Sequence, residues 1–248
     1  MIKIKQFLKK IYLICIILIT NCLKTKSSFK NSEETTNYIR ENKCSFIRFG
    51  DGEFEIMLGN KIHYQDYDEK LAIELEQIIK NYIENSNSTK YLVGMPEKYL
   101  GKLSITLKNN AIYWAKSNFL FKRKFNRNIV YGDAFLFGKG KKEIYKKIWC
   151  DNGIKHVIFV HNNYHYANLF SKEYNIKKVD YIDIPPKNAY QNIKSIISRI
   201  KGIQGYNSED CTILVSAGPA GKIISYNLTL CDCFVIDTGH CWDDPLTE

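Results

Sequence analysis

The sequence predicts an α/β fold built on a largely parallel sheet flanked by helices. Three observations predict it. Short apolar runs of strand length alternate with longer segments of helical period from Cys44 to Asp237, which marks βαβ units. Gly, Pro, Asp and Asn gather where the runs end and read as loops. No internal repeat or long linker divides the chain, and 248 residues with 45% apolar content suffice for one α/β domain with an appendage.

Each element follows from its local pattern. Ile11 to Ile19 is an apolar run behind Lys3, Lys5, Lys9 and Lys10, closed by Lys24 and Lys26. It is shorter than the roughly 20 residues that a bilayer span needs. A signal-peptide core is one reading, but Thr20-Asn21-Cys22 is a poor cleavage site. The favoured reading is a basic, apolar helix on a membrane surface with the domain in the cytoplasm. Residues 1–30 are thus expected as a membrane-associating or targeting segment, and 31–248 as the globular domain.

Ser32 to Thr36 can begin a helix that leads into the strand Ser45–Phe49, and Phe54 to Leu58 starts another helix. Leu71, Leu75, Ile78, Ile79 and Ile83 recur at helical spacing. Tyr91 to Pro96 reads as a buried strand, Ile105 to Phe121 as a helix, and Asn128 to Phe137 as a strand interrupted at Gly132-Asp133. Lys141 to Trp149 resumes helical spacing. Then come strand His156–His161, helix Tyr166–Tyr174, strand Val179–Ile184, helix Asn188–Ile200, strand Thr212–Ser216, a helix to Leu230 and strand Cys233–Asp237.

The net charge of +10 raises nucleic acid as a partner. Met1 to Lys30 holds seven lysines and no acid, however, which leaves 29 basic residues against 26 acids elsewhere. A second cluster, Lys116 to Lys147, has ten Lys or Arg against Asp133 and Glu143. It suits an anionic acceptor, a membrane surface or a solvated helical face. With no RNA-binding signature or zinc-finger spacing, nucleic-acid binding is disfavoured. Eight scattered cysteines without a CxxC pair suit a reducing compartment.

In open parallel sheets ligands bind beyond the carboxyl ends of strands, so the loops after Phe49, Ile184, Ser216 and Asp237 share one rim. On the first, Asp51 and Glu53 lie two apart between Gly50 and Gly52. In a turn-like backbone both carboxylates can converge on a hard cation, and the glycines let a phosphate approach the main chain; an Asp-Gly surface turn is the alternative. On the second, Lys187 can neutralise a diphosphate and Tyr190 can stack on a base, with Asn188 between them. On the third, Gly218, Pro219 and Lys222 open a helix whose N–H groups suit a phosphate. The spacing is not that of a P-loop, and no GxGxxG fingerprint exists. On the fourth, His240 can act as acid, base or ligand. His161 and His165 lack the HExxH context of a zinc site.

Five motifs in order then carry a resemblance. They are Arg48-Phe49-Gly50-Asp51-Gly52-Glu53; Tyr64 to Asp68 with the Leu71 helix; Pro186 to Tyr190; Ala217 to Lys222; and Ile236 to His240. Together they resemble the GT-D class of bacterial glycosyltransferases. The resemblance implies a Rossmann-like domain, a nucleotide-sugar donor and a divalent metal, commonly Mn²⁺ with Mg²⁺ as the alternative. Asp51 and Glu53 take the place of its Asp-x-Glu metal motif, with Arg48 as a diphosphate contact. Glu53, His240 and Asp243 are the candidate general bases. The expected reaction moves a hexose from a UDP-linked donor to a hydroxyl of a glycan or glycoprotein precursor. A catalytically silent, membrane-anchored nucleotide-binding protein is the alternative.

Overall fold

The computed structural model describes residues 2–86, 88–103, 108–150 and 153–242. Its described strands form one parallel sheet. They are β1 (Ser28–Phe29), β2 (Ser45–Arg48), β3 (Tyr91–Met95), β4 (Val130–Asp133), β5 (His156–His161), β6 (Lys178–Asp183), β7 (Cys211–Val215) and β8 (Val235–Asp237), in the spatial order β1-β4-β3-β2-β8-β7-β5-β6. Every strand pairing is parallel. The chain fills one half of the sheet outward from β2 and returns through the other half to place β8 beside β2. That junction at the sheet's centre is where the loops of both halves meet.

The strands are apolar on both faces because helices cover both. Phe159 and Leu214 belong to one buried cluster, whereas their neighbours Ile158, Val160, Ile213 and Val215 belong to another. Alternation along a strand sends successive side chains to opposite faces, so these clusters are the two packed layers. Helices α2 (Ser32–Asn42), α3 (Asp51–Met57), α4 (Glu69–Glu84), α5 (Glu97–Leu100) and α6 (Lys108–Lys124) accompany the first half. Then come α7 (Lys142–Tyr145), α8 (Lys147–Cys150), α9 (Tyr164–Tyr174), α10 (Ile193–Lys201) and α11 (Gly218–Thr229). α4 begins at Asp68, whose side chain accepts the Leu71 N–H, and buries Leu71, Leu75, Ile78 and Ile79, the stripe read from the sequence.

Two local expectations differ from the fold. The helix expected from Asn188 starts later, because Asn188 is left-handed at φ 54°; a 3₁₀ turn over Ala189–Asn192 precedes α10. The segment Lys141–Trp149 breaks into two short helices, α7 and α8. In the N-terminal segment, helix α1 (Ile2–Cys22) packs on α6, with Leu13 and Ile17 buried. Asn21 pairs with the main chain of Leu103 at 2.8 and 3.0 Å, and β1 adds to the sheet edge beside β4. No described helix is long and apolar enough to cross a membrane.

Candidate functional site

The Asp51 stretch folds differently from the open loop that its glycines suggest. Gly50 is the N-cap and α3 begins at Asp51. Asp51 and Glu53 therefore occupy the first turn of a helix, where residues two apart point to different sides. Asp51 is exposed and accepts a hydrogen bond from the Tyr113 hydroxyl at 3.1 Å. Glu53 is buried. Its Oε2 accepts the Gly50 N–H at 2.7 Å, the reach-back half of a capping box, and its Oε1 lies 2.9 Å from Lys222 Nζ.

Lys222 stands one turn inside α11 and is itself buried. Its ammonium also meets Asp237 Oδ2 at 3.1 Å and the Gly218 carbonyl at 3.2 Å. Burial pulls this ammonium's pKa down, but Asp237 and Glu53 outweigh that pull, and the net direction is up. Asp237 ends β8 and accepts the Arg48 N–H at 3.1 Å and the Gly239 N–H at 3.2 Å. The Arg48 guanidinium donates to the carbonyls of Asp237 and Ala134 and lies over the Phe137 ring at 5.5 Å. Two cations and two carboxylates thus close a charge-balanced floor, which is how charge survives burial.

Above this floor is a cleft of about 450 Å³. Gly50 to Glu53, Ile184 to Pro186, Ser216 to Gly218 and Thr238 to His240 line it, as do Arg48 and Lys222. The four loops expected on one rim therefore do meet. Two backbone positions there demand glycine. Gly239 has φ +54°, and a Cβ on it would fall 1.6 Å from Arg48 Nη2; Gly218 has φ +53°, and its Cβ would fall 2.5 Å from the Tyr64 ring. Tyr64 stands edge-on to His240 at 6.0 Å. Burial, then the nearby Glu53 charge, pushes its hydroxyl pKa up to about 12.

The remaining candidates are placed as follows. His240 is exposed and lines the cleft. Lys187 is exposed, but neither it nor Tyr190 lines the cleft. Tyr190 is buried, and its hydroxyl pKa is raised by burial and then by Glu74, to which it is hydrogen bonded. Asn188 fastens the Tyr64 loop: its N–H donates to Tyr64 O at 3.0 Å, its Oδ1 accepts the Asp66 N–H at 2.8 Å, and its Nδ2 donates to Asp66 Oδ2 at 2.9 Å. Pro219 is buried at the start of α11. Asp243 lies outside the described residues. The sequence reading missed Tyr64 and the loop Ala134 to Lys139 as cleft groups, and Tyr113 as the partner of Asp51. A Gly- and Lys-rich loop directly after β4 was the available signal for that loop.

An open parallel sheet with its cleft over the carboxyl ends of the middle strands defines a Rossmann-like ligand-binding domain. The chain belongs to the glycosyltransferase GT-D fold family, whose model matches residues 46–244. It is 29% identical over 227 residues to "Glycosyltransferase GlyD" of Streptococcus pneumoniae serotype 4, a match that covers 85% of this chain and 26% of that protein. It is 24% identical over 227 residues to "Probable glycosyl transferase Gly" of Streptococcus gordonii, covering 84% and 31%. The chain thus spans about a quarter to a third of the length of these relatives. Its fold is that of the solved "highly conserved domain of unknown function 1792", with TM-score 0.72 and 23% identity over 93% of this chain and 83% of the other. A glycosyltransferase of the same domain type from Streptococcus sanguinis matches with TM-score 0.70 and 24% identity, covering 87% and 82%.

Proposed function

We propose that the chain transfers a hexose from a UDP-linked nucleotide sugar to a hydroxyl of a glycan or glycoprotein precursor. The observation that carries this reading is the exposed Asp51 carboxylate on a cleft whose floor is charge-neutral. A diphosphate meets no unpaired buried charge there, while Gly218 and Gly239 leave room for Tyr64 and Arg48 to pack against the rim.

The residues fit a divalent metal, Mn²⁺ or Mg²⁺, that arrives with the donor. Asp51 is the carboxylate left to the cleft, since both Glu53 oxygens already have protein partners. No group of three or more His, Cys, Asp or Glu side chains is arranged for a metal among the described residues. Diphosphate oxygens and water would fill the other positions, as is common where one or two carboxylates anchor such an ion. When bound, the metal offsets the charge that develops on the leaving diphosphate.

The chain's own groups do the rest. Arg48 and Lys222, paired with Asp237, Glu53 and main-chain carbonyls, fix the floor beneath the leaving group without adding net charge to it. His240 is the base assigned to the acceptor hydroxyl, because recruiting Glu53 would break a buried ion pair. A nucleotide-sugar donor and the cysteine pattern both suit a cytoplasmic setting.

Calorimetry with UDP, with and without Mn²⁺, tests the reading alongside hydrolysis of UDP-sugars. Asp51→Ala should weaken metal-dependent UDP binding by roughly tenfold or more and leave the fold intact. Unchanged metal-dependent binding in that variant would sink the assignment. Metal-dependent UDP binding without turnover on any donor or acceptor would favour the silent module.

A further inference from the structure

Helix α1 has two apolar faces, and the domain covers only one. Leu13, Ile17 and Thr20 are buried. Phe7, Leu8, Ile11, Tyr12, Leu18 and Ile19 are instead 42 to 64% exposed. At about 100° per residue those six fall within an arc of roughly 140°, so the outward half is a continuous apolar stripe. It adjoins a groove of about 740 Å³, walled by Tyr12, Ile16 and Ile19 on one side and by Phe119 and Leu120 of α6 on the other.

The charge around this face says what covers it. Lys116 and Arg123 on α6 are exposed and line this groove, and the first 30 residues contain no acid. A second copy docked face to face would set these cations against their equivalents with no α1 carboxylate to answer them. An anionic bilayer answers them directly. Since no described helix can span, α1 would lie in the plane of the surface. We infer that the composite α1–α6 face seats on an anionic membrane, with the outward half of α1 in the acyl boundary and Lys116 and Arg123 on lipid phosphates.

This seating would set the cleft close to the bilayer. Tyr113, which holds Asp51, shares one helical face of α6 with Lys116, Leu120 and Arg123. The inference does not depend on the donor chemistry, and its test involves no nucleotide.

Flotation of the full chain with phosphatidylcholine vesicles, with and without phosphatidylglycerol, checks it. Binding should require phosphatidylglycerol and weaken as salt is raised. The double substitution Leu18→Glu with Ile19→Glu should lower partitioning by roughly a hundredfold or more, the cost of two lost aliphatic insertions, with circular dichroism unchanged. If that variant fails to fold, Lys116→Glu with Arg123→Glu decides, since it should abolish the preference for anionic vesicles. Equal binding to both vesicle types, no binding by the full chain, or an undiminished anionic preference in the charge variant overturns the inference. So does self-association by sedimentation that Leu18→Glu with Ile19→Glu removes while no vesicle binds; that result gives the face to a second copy.

Discussion

The floor of the cleft and the α1–α6 face use the same residue types to opposite ends. In the floor, Lys222 and Arg48 are surrounded by carboxylates and carbonyls, so their charge is consumed inside the protein and fixes geometry. On the α1–α6 face, Lys116 and Arg123 stand in solvent beside uncovered apolar side chains. A lysine is a structural element where it is buried and paired, and a handle for partners where it is exposed. Charge counts from the sequence cannot separate the two.

The largest expected effect breaks the floor. Lys222→Met leaves Glu53 and Asp237 buried without their shared cation, and urea unfolding should show a loss of about 3–5 kcal/mol. Lys116→Met on the exposed face should change stability by less than about 0.5 kcal/mol. Similar losses in the two variants would erase the contrast.

A smaller effect is expected at Gly239. Gly239→Ala adds left-handed backbone strain of about 1–2 kcal/mol and drives Arg48 from its carbonyl partners. Both UDP affinity and the urea midpoint should fall. A midpoint that falls with UDP affinity intact would remove Arg48 from the donor site.

The smallest effect is on pH dependence. The folded-state pKa values of Lys222 and Tyr64 both lie above their ordinary values of 10.5 and 10.0. The stability linked to these groups is therefore complete below pH 10 and lost as pH rises through the raised values. Thermal melts from pH 7 to 12 should show a decline that starts near pH 10 and is shallower in Lys222→Met. An equal decline in the variant would separate Lys222 from the alkaline transition.

Much of the fold was legible because its signals are local. β5, β7 and the α4 stripe appear where their apolar periods place them, and loops at strand ends converge wherever a parallel sheet forms. The roles of Asp51 and Glu53 were less legible. Both residues line the cleft, but α3 begins one residue after Gly50, and that start turns one carboxylate outward and the other onto a lysine 169 positions later in the chain. Tyr190 looked like a stacking ring and is a buried side chain bonded to Glu74. A tyrosine at the start of a helical segment can face either way, and only packing against α4 chose.

By itself, the sequence determined the alternation of strands and helices, the four loops that make the rim, the glycines at 218 and 239, and an N-terminal helix rich in lysine and apolar residues. These depend on short-range periodicity and backbone freedom. Only the tertiary structure decided which charges are paired, that Asp51 is exposed while Glu53 is buried against Lys222, and that α1 is docked on α6 with half of its apolar surface bare. Those outcomes depend on contacts between distant segments, whose energies come from burial and charge pairing across the sheet rather than from any local pattern.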